Sequence, residues 1–219
     1  GVLKDIDVHL VMPGARPFGI PAIADSLDKV IADYGITLHT EAEMTSVDAA
    51  SHKVGITSVG GGGTDTMLPY DVLHAVPRQS APDWIKSSPL STGDAAGYVE
   101  IDKPTMQHGR YPNVFSLGDA GSSPNSKTGA AIRKQAPVVV ANIDAVLTNQ
   151  PLRASYDGYS SCPIVTSSHA MLLAEFDYDL NLEPPFPVLD PTKPHRAYWY
   201  LKKYGLPFMY WNLMLKGLA

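Results

Sequence analysis

One cysteine, one Gly-Asp step after an apolar run and one glycine-led helix start are the residues of this 219-residue chain best suited to chemistry. Cys162 lies in Tyr156-Asp157-Gly158-Tyr159-Ser160-Ser161-Cys162-Pro163 and has no second cysteine in the chain to pair with. It is therefore either a small apolar filler or a reactive thiol. Asp119 follows Gly118 at the carboxyl end of Asn113-Val114-Phe115-Ser116-Leu117, the position at which open α/β sheets bind ligands; the alternative is a turn or capping aspartate. Ser126, Lys127, Thr128, Gly129 and Ala130 open a long apolar-patterned segment. Free N–H groups and the positive dipole end at such a point favour an anion or an electron-rich carbonyl. The seven histidines are scattered without metal-ligand spacing, so no metal site is expected. Asp25 with Asp28 and Glu41 with Glu43 read as turn and surface residues.

The elements that must position these residues follow from periodicity. Val8–Met12 reads as a buried strand, residues 21–34 as a helix led by Pro21 and stopped by Gly35, and Ile36–Thr40 as the next strand. That order predicts a βαβ unit and a piece of parallel sheet. Alternating runs at 43–47, 53–59 and 66–70 predict a β-meander. Gly60 to Gly63 sit between strand-like segments, so they predict a hairpin turn rather than a phosphate loop, which needs a helix after it. Asp71–Pro77 reads as a returning core strand, and Pro77–Gly97 as a linker with a short turn at Trp84-Ile85. Tyr98–Ile101 and Asn113–Leu117 are expected to be strands. Thr128–Leu147 is expected to be a helix burying Ile132, Val139, Val140 and Ile143, with Pro137 kinking it. Ile164–Thr166 and Met171–Phe176 form an antiparallel pair, and Pro184–Pro194 leads into a tail that splits at Gly205-Leu206-Pro207 into two helical stretches.

Charge and aromatic content set the tail apart. The net charge is −5, yet no acidic residue follows Pro191, whereas Lys193, Arg196, Lys202, Lys203 and Lys216 do. Tyr198, Trp199, Tyr200, Tyr204, Phe208, Tyr210 and Trp211 crowd the same stretch, and Phe208, Trp211, Leu215 and Leu218 recur at helical spacing. A basic, Trp/Tyr-rich amphipathic segment suits a membrane interface, with ordinary core packing as the alternative. The acidic body and lack of a binding motif disfavour nucleic acid. No apolar run of about 18 residues suggests a spanning helix. The start, Gly1-Val2-Leu3-Lys4, resembles neither a signal nor a transit peptide and reads as the middle of a domain.

Tyr-Pro-Asn-Val-Phe-Ser at 111–116, Gly118-Asp119, Lys-Thr-Gly-Ala-Ala at 127–131, the Cys162 segment through Thr166, Leu173–Tyr178 and Tyr210–Leu215 together resemble the C-terminal half of sulfide:quinone oxidoreductases of the mitochondrial type. The resemblance implies a flavoprotein that oxidises sulfide through redox cysteines beside FAD and passes electrons to membrane quinone. It implies that Asp119 hydrogen-bonds the ribityl chain of FAD and that Gly118 permits close backbone approach. The helix start at Thr128, Gly129 and Ala130 would face the pyrimidine ring, with Lys127 stabilising the reduced flavin. Cys162 takes the place of the downstream cysteine of the catalytic pair. Tyr198, Phe208, Trp211 and Leu215 would serve membrane binding and quinone entry.

The Gly-x-Gly-x-x-Gly fingerprint of a dinucleotide domain is absent, and Gly14-Ala15-Arg16-Pro17-Phe18-Gly19 does not match it. The expected fold is therefore α/β, a partial pair of Rossmann-like domains with a meander and an amphipathic tail. Residues 1–97 would close the second dinucleotide domain, 98–183 the FAD domain, and 184–219 form linker and tail. The fragment alone is expected to be inactive. Partners implied by the family are sulfide, a sulfur acceptor, quinone and a membrane surface, at the cytoplasmic face in bacteria or the mitochondrial inner membrane; homo-oligomerisation is left open. The rival readings are a type II NADH:quinone dehydrogenase, a flavocytochrome c sulfide dehydrogenase, or a non-catalytic module binding membrane or a partner.

Overall fold

The computed structural model describes residues 5–60, 65–184, 186 and 188–218. They fall into two compact units, Gly1–Pro77 and Arg78–Ala219.

The first unit opens with β1 (His9–Val11), crosses through α1 (Pro21–Asp33) and returns as β2 (Thr37–His39), which pairs parallel with β1 in the register Leu10↔Leu38. Pro21 occupies the first helical turn, where its missing N–H is no loss. Gly35 ends α1 in the left-handed region at φ +66. Its N–H bonds Ala32 O and that of Ile36 bonds Ile31 O, the paired closure that satisfies terminal carbonyls. Ile23 and Ala24 are the helix's buried contacts. Arg16 bridges Asp25 and Asp28 at 2.6 and 2.8 Å, so these two carboxylates form an exposed ion pair with one guanidinium.

β3 (Ala42–Asp48), β4 (Lys53–Ser58) and β5 (Thr66–Pro69) form the expected antiparallel meander, in the order β3-β4-β5. Gly61, Gly62 and Gly63 of the glycine run lie outside the described residues. Two expectations fail in this unit. β1 is not buried, Leu10 remaining exposed, because only two strands pair in its sheet. Asp71–Pro77 is irregular, with Val72 90% exposed. An apolar run lacking a partner edge has no ladder to join.

In the second unit Pro77–Gly97 is more than a linker. Ala81 and Ile85 of α2 (Asp83–Lys86) pack with Val99, and the Ala81 N–H bonds Ala96 O at 2.8 Å. Tyr98–Ile101 and Asn113–Leu117 form no strand and make only isolated bridges, such as Val99↔Gly121 and Gln107↔Phe115, with Asn113 in a turn. Local Asp chemistry competes for their flanks: Asp94 takes the Gly97 N–H, and Asp102 takes Thr105.

α3 (Gly129–Leu147) runs unbroken through Pro137. Its buried stripe is Ala131, Gln135, Val139 and Asn142, which keeps Val139 of the expected face and replaces the rest. Ile132, Val140 and Ile143 are exposed. The helix is turned so that two amide side chains reach buried backbone groups. β6 (Ser160–Ser167) and β7 (Ala170–Phe176) pair antiparallel, Cys162 facing Ala174 in the ladder. The tail runs through α4 (Arg196–Tyr200), a π-helical segment (Leu201–Gly205), α5 (Leu206–Asn212) and a final 3-10 turn (Met214–Lys216). The two expected helical stretches are therefore joined rather than split. Among the described residues no helix is long and apolar enough to cross a membrane.

Candidate functional site

The Gly-Asp step forms a 3-10 turn, Gly118–Ala120, in which Gly118 is buried and Asp119 exposed. Gly118 has φ +62, and an added Cβ would meet Ile132 at 3.1 Å. The left-handed backbone conformation thus favours glycine, while the Ile132 side chain would have to yield only slightly. The Gly118 N–H donates to Gln135 Oε1 at 2.8 Å.

Thr128 is the N-cap of α3, its Oγ1 accepting from the Ala131 N–H at 3.2 Å. The amides of Gly129 and Ala130 have no partner among the described residues, and a Cβ at Gly129 would meet nothing within 4 Å. These open N–H groups and the exposed Asp119 carboxylate suit a ligand carrying hydroxyls and an electron-rich carbonyl, which is the chemistry of a flavin nucleotide.

Lys127 is engaged by backbone carbonyls of the Gly118 turn. Its Nζ donates to the carbonyls of Gly118, at 3.4 Å, and Gly121, and lies 4.2 Å from the Tyr98 ring centroid. Burial lowers its pKa, offset in part by Asp119. In this conformation the lysine fastens the start of α3 to the Gly118 turn.

Cys162 is half-buried on β6. Burial pushes its thiol above the usual range, and a hydrogen bond with the Ser126 side chain offsets part of that rise. The same strand is tied to the helix start by Ser160, whose Oγ donates to Ser126 O at 2.8 Å and lies 3.3 Å from Thr128 Oγ1. The structure therefore brings Gly118, Lys127, Thr128 and Cys162 into one hydrogen-bonded neighbourhood. No cluster of three or more metal-ligating side chains occurs among the described residues.

Sequence reasoning missed the polar centre of that neighbourhood. Tyr156, 3% exposed, donates to Tyr159 O at 2.5 Å and accepts from Asn125 Nδ2 at 2.9 Å. Burial holds its phenol well above the ordinary range. Tyr159 donates to Glu175 at 2.8 Å and is pushed up to about 12, first by burial and then by that bond. Only the aromatic density around Cys162 could have hinted at this.

The tail residues separate into two sets. Tyr198 is 1% exposed and packs with Met171 and Leu173, so it is a core residue and not part of an outer face. Phe208, Trp211 and Leu215 are 61%, 65% and 57% exposed. Lys202 Nζ bonds Pro163 O at 3.2 Å, tethering the tail to the strand that carries the thiol.

No family model matches the chain. Curated relatives do. The mitochondrial sulfide:quinone oxidoreductase of Mus musculus is 36% identical over 91% of this chain and 44% of its own length. Those of Dictyostelium discoideum and Schizosaccharomyces pombe are each 37% identical over 99% of this chain and 47% and 48% of theirs. The chain thus spans about half the length of the curated relatives it matches. Among solved structures, sulfide:quinone oxidoreductase from Aquifex aeolicus superposes with TM-score 0.75 at 15% identity, over 96% of this chain and 51% of that one. A chain of the Tetrahymena thermophila mitochondrial ATP synthase gives TM-score 0.74 at 22% identity, over 92% and 48%. Both show the shared fold. Over nearly its whole length, the chain is related to the family of mitochondrial sulfide:quinone oxidoreductases.

Proposed function

We propose that this chain is the C-terminal part of a FAD-dependent enzyme that oxidises sulfide and reduces a membrane quinone. The observation that carries the reading is the convergence of the Gly118-Asp119 turn, the open α3 amides and Cys162, in a chain 36–37% identical to three sulfide:quinone oxidoreductases. Residues 1–97 would complete a second dinucleotide-binding domain, 98–183 the FAD domain, and 184–219 a membrane- and quinone-facing tail. The relatives' names give a mitochondrial setting, and the reading adds peripheral attachment to the inner membrane through the exposed tail.

In this reading Asp119 accepts a ribityl hydroxyl and Gly118 lets the backbone approach. The Gly129 and Ala130 amides hold the carbonyl edge of the ring. Bound FAD would supply a two-electron acceptor. Cys162 forms a disulfide with a second cysteine from sequence outside this chain. Hydrosulfide adds to one sulfur, the S–S bond breaks, and a persulfide and a thiolate result, with no net change in charge. The raised thiol pKa disfavours the free Cys162 thiolate, which needs an adjacent donor such as the Ser126 hydroxyl to be stabilised.

The test uses the full-length protein carrying this chain, purified and assayed for FAD and for reduction of a soluble quinone by sulfide or by NADH. Flavin present with sulfide as the electron donor is expected. NADH as the only effective donor would move the protein to the NADH:quinone dehydrogenases, and a colourless protein would end the flavin reading. The 219-residue chain by itself is expected to retain little FAD, because it lacks the phosphate-binding fingerprint.

A further inference from the structure

The Gly118-Asp119 turn is tied to the middle of α3 by a single buried side chain, Gln135, which is 1% exposed. Its Oε1 takes the N–H of Gly118 at 2.8 Å. A separate set of bonds centred on Tyr156 holds the approach to α3 and the thiol strand. The Tyr156 hydroxyl accepts from Asn125, whose Nδ2 also donates to Ser126 O at 3.0 Å. It donates to the Tyr159 carbonyl, next to the first residue of β6.

Packing alone does not call for an amide here. An apolar side chain of the same volume would fill the site without the desolvation that Gln135 suffers. What the amide does that an apolar side chain cannot is accept from the inward N–H of a left-handed glycine. Asn142, two turns further along the same buried face, offers a contrast. It is also fully buried and bonds Thr105 O and Ala154 O at 3.0 Å, segments that carry no candidate residue.

Resting on the flavin reading above, we propose that Gln135 is a positioning residue for the cofactor. It sets where the Asp119 carboxylate stands relative to the α3 amides.

The test is FAD affinity in the full-length protein, measured by titrating the apoprotein with FAD and following flavin fluorescence, beside the melting temperature of the apoprotein. Gln135→Met is expected to raise the FAD Kd about tenfold, as one unpaired buried donor should. Gln135→Glu, whose carboxyl oxygen can still accept from the Gly118 N–H, should return it to within about threefold of wild type. Asn142→Leu should lower the apoprotein melting temperature and leave the Kd within about threefold. If Gln135→Met does not fold, Gln135→Asn, whose amide is one methylene shorter and falls short of the Gly118 N–H, carries the same test, with a rise of about fivefold expected. An unchanged Kd in Gln135→Met or Gln135→Asn, or an equal rise in Asn142→Leu, overturns the positioning role while leaving the flavin reading standing. A wild-type protein that takes up no FAD overturns both.

Discussion

The junction around Tyr156 and the tail beyond Gly205 solve opposite problems within one compact unit. At the junction, Gln135 takes the Gly118 N–H, Asn125 donates to Tyr156 and Ser160 donates to Ser126 O, so the turn, the helix start and the thiol strand are each held by directional bonds. In the tail, Phe208, Trp211 and Leu215 stay exposed with lysines beside them. The lesson is that the proposed chemistry is held by directional bonds, which tolerate little displacement, whereas the proposed contact with a membrane needs only an apolar and cationic face. Substitutions at the junction should therefore act through geometry, and those in the tail through surface chemistry.

The largest structural effect is expected at Gly158, between Tyr156 and Cys162. Its φ is +92 and an added Cβ would fall inside the Tyr178 ring, so Gly158→Ala should cost about 3 kcal/mol or more of stability by denaturant unfolding. A change below about 1 kcal/mol would mean that the junction is softer than described.

Next comes the tail. Because Tyr198 belongs to the core, removing everything after Pro191 would confuse unfolding with loss of the exposed face. A chain ending at Gly205 keeps Tyr198 and removes Phe208, Trp211, Leu215 and Lys216. Vesicles containing anionic lipid should bind the full-length protein and release most of it on this truncation. The remaining attraction, about 1 kcal/mol per basic residue, should fade with salt. Equal co-sedimentation of both would return the tail to the status of an ordinary surface.

Asp119→Ala should weaken FAD retention by about 1.5–3 kcal/mol, the range of one charge-assisted hydrogen bond. Isothermal titration of the apoprotein reads this directly, and a loss below that range would remove the carboxylate from the cofactor's contacts. The smallest effect is expected at Tyr198, whose buried hydroxyl has no hydrogen-bond partner among the described residues. Tyr198→Phe should leave stability unchanged or raise it by about 1 kcal/mol. A clear loss of stability would show that the hydroxyl is used.

The βαβ unit, the meander, α3 and the β6–β7 hairpin were legible because periodicity and turn residues report them locally. The rotation of α3 was not. Its apolar residues Ile132, Val140 and Ile143 suggested one buried face, but the turn at Gly118 and the backbone at Thr105 and Ala154 needed Gln135 and Asn142 inside. Those partners lie 12 to 37 residues away in sequence, and no local pattern encodes them. The same limit hid Tyr156, whose aromatic ring suggested packing while its hydroxyl organises the site. The strands expected at 71–77 and 98–101 failed for a related reason: strand propensity does not supply a neighbour to pair with.

The central claim is that Cys162 is one half of a sulfur-transferring pair set beside a flavin. It is tested most directly by replacing that single atom. In the full-length protein, Cys162→Ser should keep its FAD and its melting temperature while sulfide-dependent quinone reduction falls to background. Near-normal turnover by Cys162→Ser would contradict the account and leave the cysteine a packing residue of β6.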